Sequence, residues 1–271
     1  MTDNAHAINI SNYKKIIELA AARFSQVCFE NLTVDLDRFM LWRHDVDIDL
    51  ARALKISEVD ESAGFKSCFF LNISSDFYNL HDYQSKNILY QIFSSGHELG
   101  VHLDLRLTGP MSFLERLEYE AFVLEKIIGI KPVALSFHNP PTDVKFDELK
   151  YQGLWNCYSK FFQESVEYCS DSNGHWRYKV LPELLNSSTS CRLQILTHPD
   201  WWIDDQHGLT PRQKVAQAVI RRAEQTMYDY DELLKMGSRL NEKSHTHRRR
   251  FYKEKNINDF MVDVEDYYGV L

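Results

Sequence analysis

Acidic side chains cluster where the first apolar run of the chain ends. Residues 41–49 read LWRHDVDID, so Asp45 and Asp47 come directly after that run. An ionised carboxylate that is buried without a partner is strongly unfavourable, and two of them at one place need a compensating charge. Because successive side chains of a strand alternate between its two faces, we expect Asp45 and Asp47 to point to the same side. A divalent cation would allow both to stay ionised.

Three further strand-like segments end in the same kind of side chain. In HELGVHLDL, His102 and Asp104 share a face by the alternation rule. His138 closes the segment ALSFHNPP, and His198 closes QILTHPDWW. In α/β proteins the carboxyl ends of the strands form the rim at which sites are built. Alone, each residue could be a helix cap or a buried histidine, but the four strand ends together predict a site for a divalent ion such as zinc.

Helical and strand-like patterns alternate along the chain, which is typical of βαβ units and a parallel sheet. The patterns indicate about six or seven strands, which suit an incomplete (β/α) barrel as well as an open sheet. We expect one domain over residues 1–271. An N-terminal helix over about residues 11–29 and a long C-terminal helix over about residues 210–243 are predicted as additions to it.

Composition excludes some classes of protein. The chain is 44% hydrophobic and carries 31 basic and 39 acidic residues, a formal net charge of −8. That balance argues against a dedicated nucleic-acid binder, which usually has a basic face. Because the chain lacks a secretory signal and an apolar run of the ~20 residues that span a bilayer, we expect a cytoplasmic protein that is not inserted in a membrane. The apolar face of the C-terminal helix could pack on the domain or on a second copy, so a homodimer stays open.

Five short motifs occur in the order and approximate spacing of the motifs of a known family. They are RHDVD, GHELGVHLD, SFHNPP, SDSNGHW and LQILTHP. The set resembles the NodB-type polysaccharide deacetylases, carbohydrate esterase family four, in a divergent branch that opens with HDVD. The resemblance covers most of the chain and implies an α/β fold, a distorted (β/α) barrel of about seven parallel strands. It also implies a bound divalent metal, for which we expect zinc, and an acetylated sugar, sugar nucleotide or oligosaccharide as substrate.

The resemblance assigns catalytic roles to residues of three motifs. The first motif gives a general base and a metal ligand, which fall on Asp45 and Asp47. The family has these two aspartates adjacent, whereas Val46 separates them here. The fourth motif's aspartate matches Asp171, which would orient a partner or bind sugar hydroxyls. The fifth motif's histidine matches His198, the family's general acid.

The metal ligands depart from the family pattern in the second motif. His102 matches the first of two metal histidines, but Arg106 stands where the second would be. An arginine stays protonated and cannot bind a metal, so the third ligand must come from elsewhere. His138 replaces the arginine of the family's third motif and is the first choice for this ligand, and Asp104 is the second choice.

Residues beside these motifs are candidates for substrate binding. Tryptophans of the fourth and fifth motifs could stack on the face of a pyranose ring, and charged groups near the strand ends could bind its hydroxyls. The candidates are Asp104, Arg43, Trp176 and Trp201.

Three functions remain in competition. The first is a metal-dependent hydrolase that removes an acetyl group from an amino sugar or sugar in a cell-surface polysaccharide precursor. The second is a catalytically inactive, carbohydrate-binding relative of the same fold, which Arg106 favours. The third is an amidohydrolase that acts on a non-sugar substrate. Metal content separates the first from the second, and a substrate panel separates the first from the third.

Overall fold

Helices and strands alternate in the computed structural model of the chain, which describes residues 7–107, 109–140, 146–187, 190–203 and 208–237. The chain divides into two compact units, Met1–Asp205 and Gln206–Leu271. The strands, all in the first unit, are β1 Phe39–Val46, β2 Cys68–Leu71, β3 Glu98–Asp104, β4 Ala134–His138, β5 Lys150–Tyr151, β6 Leu154–Asn156, β7 Glu167–Ser170 and β8 Arg192–Thr197. The helices of that unit are α1 Ile10–Arg23, α2 Leu50–Ser62, α3 Tyr83–Ser94, α4 Phe113–Ile128, α5 Lys160–Ser165, α6 Leu181–Ser187 and α7 Pro199–Trp202, and the second unit contains α8 Pro211–Met236.

One sheet contains all the strands of the described residues, in the order β5-β6-β4-β3-β2-β1-β8-β7. Neighbouring strands run parallel throughout, except that β5 is antiparallel to β6. Seven strands are therefore mutually parallel, and the predicted distorted (β/α) barrel of about seven parallel strands is confirmed. The barrel is incomplete, because β5 and β7 end the sheet and do not pair with each other in the described part of the chain.

Strand β1 lies inside the sheet, between β2 and β8, and its side chains change from apolar to charged along its length. All eight of its residues are buried, as expected of a parallel strand that is covered on both faces. Phe39 and Leu41 point into a hydrophobic cluster that also contains Phe70. By alternation, Arg43 and Asp45 continue on the same face toward the carboxyl end. The interior of the barrel therefore turns from apolar to charged within two layers of side chains.

Helix α1 is shorter than the predicted 11–29. It ends at Arg23, because Phe24 adopts an extended conformation with φ −126° and ψ 141°. Gln26 then pairs with Met40 in an isolated parallel bridge beside β1. The local apolar pattern was helical, but tertiary pairing with the sheet takes these residues out of the helix.

Helix α8 begins at Pro211, after a capping box in which Thr210 and Gln213 bind each other's backbone amides. The part of the predicted helix beyond residue 237 lies outside the described residues, and the single-domain organisation stays a prediction. Across the described helices, no segment is both long and apolar enough to cross a bilayer.

Gly100 on β3 leaves room for the ring of Phe70, its partner on the neighbouring strand β2. A Cβ atom at this position would lie 2.6 Å from Cδ1 and Cε1 of the Phe70 ring and 3.1 Å from the carbonyl oxygen of Ala134. We predict that Gly100→Ala lowers the free energy of unfolding by about 1–3 kcal/mol, measured by urea denaturation, because the core must shift to admit the methyl group. Phe70→Leu removes the ring that the methyl group would meet. The double variant should therefore lose less unfolding free energy than the sum of the losses of the two single variants. A Gly100→Ala protein as stable as its parent would contradict this packing.

Candidate active site and metal centre

The carboxyl ends of β1, β3 and β4 bring three donor side chains together. Asp47 directly follows β1, His102 lies near the end of β3, and His138 ends β4. Oδ1 of Asp47 lies 3.1 Å from Nε2 of His102 and 3.2 Å from Nδ1 of His138. The two imidazole nitrogens are themselves 3.2 Å apart. The three donor atoms therefore form a nearly equilateral triangle.

This triangle fits a divalent ion with tetrahedral coordination. Two ligands of such an ion are about 3.3 Å apart when each lies about 2.0–2.1 Å from the metal. Two imidazoles and a carboxylate are also a ligand set that zinc commonly takes. Among the histidine, cysteine, aspartate and glutamate side chains of the described ranges, those of Asp47, His102 and His138 have donor atoms that converge in this way. The structure thus places His138, rather than Asp104, beside the other two expected ligands.

Ser136 connects the metal-ligand candidates to Asp45. Nδ1 of His102 lies 2.6 Å from Oγ of Ser136, which in turn donates to Oδ1 of Asp45 at 3.3 Å. A partner on Nδ1 leaves Nε2 of His102 free to face the other two donors, as in many metal sites. The sequence analysis did not single out Ser136. Because it precedes His138 by two residues on one strand, the alternation rule alone would have placed it in the site.

Arg43 gives Asp45 a counter-charge that the sequence analysis did not foresee. Its guanidinium Nη2 lies 3.6 Å from Oδ2 of Asp45, and the residue is only 1% exposed. The sequence predicts that Arg43 binds substrate, whereas in the structure it is buried beside Asp45. Asp45 and Asp47 therefore have separate cationic or polar partners.

Asp47 is held in its ionised form. Burial raises its pKa, but hydrogen bonds from His102 and His138 and the charges of His102 and His198 lower the pKa well below its usual range. The same hydrogen bond raises the pKa of His138, against the effect of burial. A carboxylate that is ionised at neutral pH is the form that binds a metal ion.

Asp171 orients His198 at the end of β8. The buried carboxylate lies 2.6 Å from Nδ1 of His198 and accepts the backbone N–H of His198 at 3.0 and 3.1 Å. Trp202 Nε1 also donates to Asp171, at 2.6 Å. Nε2 of His198 therefore faces the metal-ligand candidates, 4.0 Å from Oδ2 of Asp47. Burial lowers the pKa of His198, but the charge and the hydrogen bond of Asp171 raise it by more, so that the pKa of His198 is about 9.

A cavity of about 440 Å³ opens onto these groups. Asp45, Asp47, His102, His138 and His198 all line it. Its size suits a small ligand such as one or two sugar rings. The sequence analysis did not single out several polar and aromatic residues of its wall, among them Asn139, Tyr158, Tyr168, Asn173, Arg177 and Tyr178.

The candidate substrate-binding residues lie in different places. Trp201 lines the cavity, whereas Trp176 packs against Trp202 with ring centroids 5.7 Å apart and is not in the cavity wall. Asp104 is buried next to the cavity and is bound by Arg106, whose Nε lies 3.0 and 3.1 Å from its two oxygens. Arg106 thus neutralises a buried acid in the structure, at the position where the family resemblance expects a metal histidine.

The sequence matches no family model and no curated protein. Among solved structures, the fold is similar to that of a family-four carbohydrate esterase from Streptococcus mutans, with 15% identity and a TM-score of 0.43 over 72% of this chain and 87% of that one. It is similar to a peptidoglycan deacetylase from Bacillus subtilis, with 16% identity and a TM-score of 0.41 over 76% and 99%. A third is a family-four acetyl xylan esterase from Clostridium thermocellum in complex with a cobalt ion, with 13% identity and a TM-score of 0.36 over 69% and 84%. All three are named as deacetylases or esterases.

Asp200 is fully buried, close enough to Asp47 to be affected by its charge. Its Oδ2 accepts the backbone N–H of Ile48 at 3.2 Å, and Nη1 of Arg52 is 3.9 Å from its Oδ1. Burial, and then the charge of Asp47, raise the pKa of Asp200 to about 8. The folded protein therefore holds a proton on Asp200 that the unfolded chain releases near its ordinary pKa of about 3.9.

The metal-ligand set is tested by zinc titration of purified variants, in competition with a chromophoric chelator. We predict that His138→Ala weakens zinc binding by about 100-fold or more, because it removes a ligand, and that Ser136→Ala weakens it by about 10-fold. Arg177→Met is the matched control and should keep the parental affinity, because Arg177 lines the same cavity but contacts none of the three donors. Retained affinity in His138→Ala together with its loss in Asp104→Ala would assign the third ligand to Asp104 instead.

Asp200→Asn should change how stability depends on pH. In the parent, the stability that the protonated carboxyl provides is present at low pH and is lost as the pH rises toward the folded-state pKa of about 8. The amide does not titrate, so the variant should gain on the parent by on the order of 2–4 kcal/mol between pH 5 and pH 8. Urea unfolding at several pH values in the presence of EDTA measures this difference. Parallel curves for the two proteins would argue against a protonated Asp200.

Proposed function

We propose that the protein is a metal-dependent hydrolase that removes an acetyl group from an amino sugar or sugar in a cell-surface polysaccharide precursor. The observation that carries this proposal is the convergence of three kinds of group on one cavity. These are a metal-donor set, a buried carboxylate beside it, and a histidine that is oriented and charged by a second carboxylate.

Asp47, His102 and His138 would hold the divalent ion, for which the donor set favours zinc. When bound, such an ion acts as a Lewis acid that polarises a carbonyl group and lowers the pKa of water. The protein contributes the fixed triangle of donors and the hydrogen bond of Ser136, which holds the ring of His102 in position.

Asp45 is our candidate for the general base. It lines the cavity beside the donor triangle, with its Oδ2 3.7 Å from Nδ1 of His102. Ser136 and Arg43 hold its carboxylate from two sides. A carboxylate in this position can accept a proton from an attacking water.

His198 is our candidate for the general acid. With a pKa raised to about 9, its imidazole is charged at neutral pH and carries a proton on Nε2 that faces the cavity. That proton can pass to the amine or alkoxide that leaves when the acetyl group is cleaved. Asp171 stabilises the charged ring and fixes its orientation.

Arg106 was the feature that favoured a catalytically inactive relative. In the structure Arg106 binds Asp104, and His138 stands beside Asp47 and His102, so the chain has three donors despite the departure. This compensation supports a hydrolase over a binding protein. We also propose the cytoplasmic location expected from the sequence, which suits a sugar nucleotide or a lipid-linked intermediate as substrate.

Acetate release tests the proposed reaction. We expect the zinc-loaded protein to release acetate from at least one member of a panel of acetylated sugars, acetylated sugar nucleotides and oligosaccharides. Asp45→Asn and His198→Ala should lower kcat by about 100-fold to 10,000-fold, because each removes a proton-transfer group. Lys160→Met, which removes an exposed charge outside the cavity wall, serves as the control.

Two results would reject the proposal. A zinc-loaded protein that binds these sugars without releasing acetate would be a carbohydrate-binding relative. A protein that hydrolyses simple amides but none of the acetylated carbohydrates would be an amidohydrolase of another kind.

A further inference from the structure

A second cavity, of about 460 Å³, lies in the barrel next to the candidate active site. Tyr158 and Tyr168 line both cavities and form a shared wall between them. Arg43 and Gln194 line only the second one. Because Arg43 precedes Asp45 by two residues on β1, this cavity is one layer of side chains deeper in the barrel than the active site.

Arg43 carries buried donors that the described residues leave without a partner. Its Nε and Nη1 have no partner within hydrogen-bond geometry there, although the residue is 1% exposed and Cys157, Tyr158 and Tyr168 lie close enough for it to act on their pKa values. Its Nη2 lies 3.6 Å from Asp45, beyond hydrogen-bond distance. Its Cζ lies 5.5 Å from the ring centroids of Phe70 and Tyr158, so aromatic faces surround much of the cation. A buried guanidinium with two unpaired N–H groups calls for acceptor atoms from a ligand, and for a negatively charged ligand most of all.

Gln194 adds a second unpaired group to the same cavity. Its Nε2 donates weakly to the carbonyl oxygen of Cys157 at 3.4 Å, whereas its Oε1 is buried and has no partner among the described residues. Phe162 and Val166 complete an apolar part of the wall. The cavity thus combines a cation, a polar group and an apolar surface, which suits a small carboxylate with a short hydrocarbon part.

The cavity also reaches the surface. Its wall includes the exposed side chains of Gln163 and Lys179, near the edge where β7 ends the sheet. Lys179 pairs with Glu167 at 2.6 Å, also in the wall. A ligand could therefore enter or leave at the open edge of the barrel without passing the metal-donor triangle.

We propose that this second cavity is a binding site for a small carboxylate, held by Arg43 with Gln194 beside it. The proposal rests on the proposed function in one respect: hydrolysis transfers the acetyl group to water and releases acetate in the adjoining cavity. An acidic substituent of the sugar substrate is a second source of the same chemistry.

The test is a titration of the full-length protein with ¹³C-labelled acetate, followed by NMR line broadening after metal has been removed with EDTA. Without metal, acetate cannot bind by coordination, and no turnover is needed. We expect saturable binding at millimolar acetate. Arg43→Met should weaken it at least tenfold, because it removes the cation.

Gln194→Glu is a second variant, in case Arg43→Met does not fold. It places a carboxylate beside Arg43 and should also weaken acetate binding at least tenfold. Arg177→Met is the matched control, because Arg177 is a cation in the wall of the first cavity and not of the second. The control should bind acetate as the parent does.

Glucuronate in place of acetate distinguishes the two sources. Acetate binding without glucuronate binding would identify a product site, and tighter binding of glucuronate would identify a subsite for an acidic sugar. Binding that does not saturate, or that persists unchanged in both Arg43→Met and Gln194→Glu, would overturn the proposal. Failure of the deacetylase assay alone would leave this site standing, because the titration uses neither metal nor turnover.

Discussion

The site depends on accommodating two carboxylates on one face at the end of one strand. Asp45 and Asp47 are two residues apart, so the alternation of side chains puts both at the carboxyl end of β1, in the barrel interior. The structure gives each its own partners. Arg43 and Ser136 hold Asp45, while His102 and His138 hold Asp47. These partners lie on β1, β3 and β4, and β2 pairs with both β1 and β3. All four strands must therefore stay in register for the two acids to be tolerated.

A metal ion is not needed to compensate the charge of Asp45. The sequence suggested that one cation compensates both acids, but Arg43 already supplies a buried positive charge next to Asp45. The metal-donor set needs only Asp47 as its anionic member. In the proposed function, Asp45 then acts as a base beside the set, rather than as a competing ligand.

The features that depend on local periodicity could be predicted from the sequence. The parallel barrel follows from alternating helical and strand-like patterns, and the convergence of His102, His138 and His198 follows from their positions at strand ends. Features that depend on tertiary distance could not. Nothing in the spacing tells that Arg106 folds back onto Asp104, or that the chain after Arg23 leaves its helix to pair with β1.

The departures from the family motifs compensate one another in space. A histidine of the third motif stands beside the first two donors, where the second motif has Arg106 instead of a histidine. The guanidinium near the general-base candidate comes from Arg43 on β1, while His138 occupies the arginine position of the third motif. In the proposed function, such exchanges between strands of one sheet would keep the chemistry of the site while they change its motifs.

X-ray absorption at the zinc K-edge of the full-length protein, loaded with one equivalent of zinc, tests the central claim most directly. We predict a first shell of nitrogen and oxygen only, at about 2.0–2.1 Å from the zinc, with outer-shell scattering from two imidazoles. Sulfur in the first shell at about 2.3 Å, or scattering from fewer than two imidazoles, would contradict a site made of Asp47, His102 and His138.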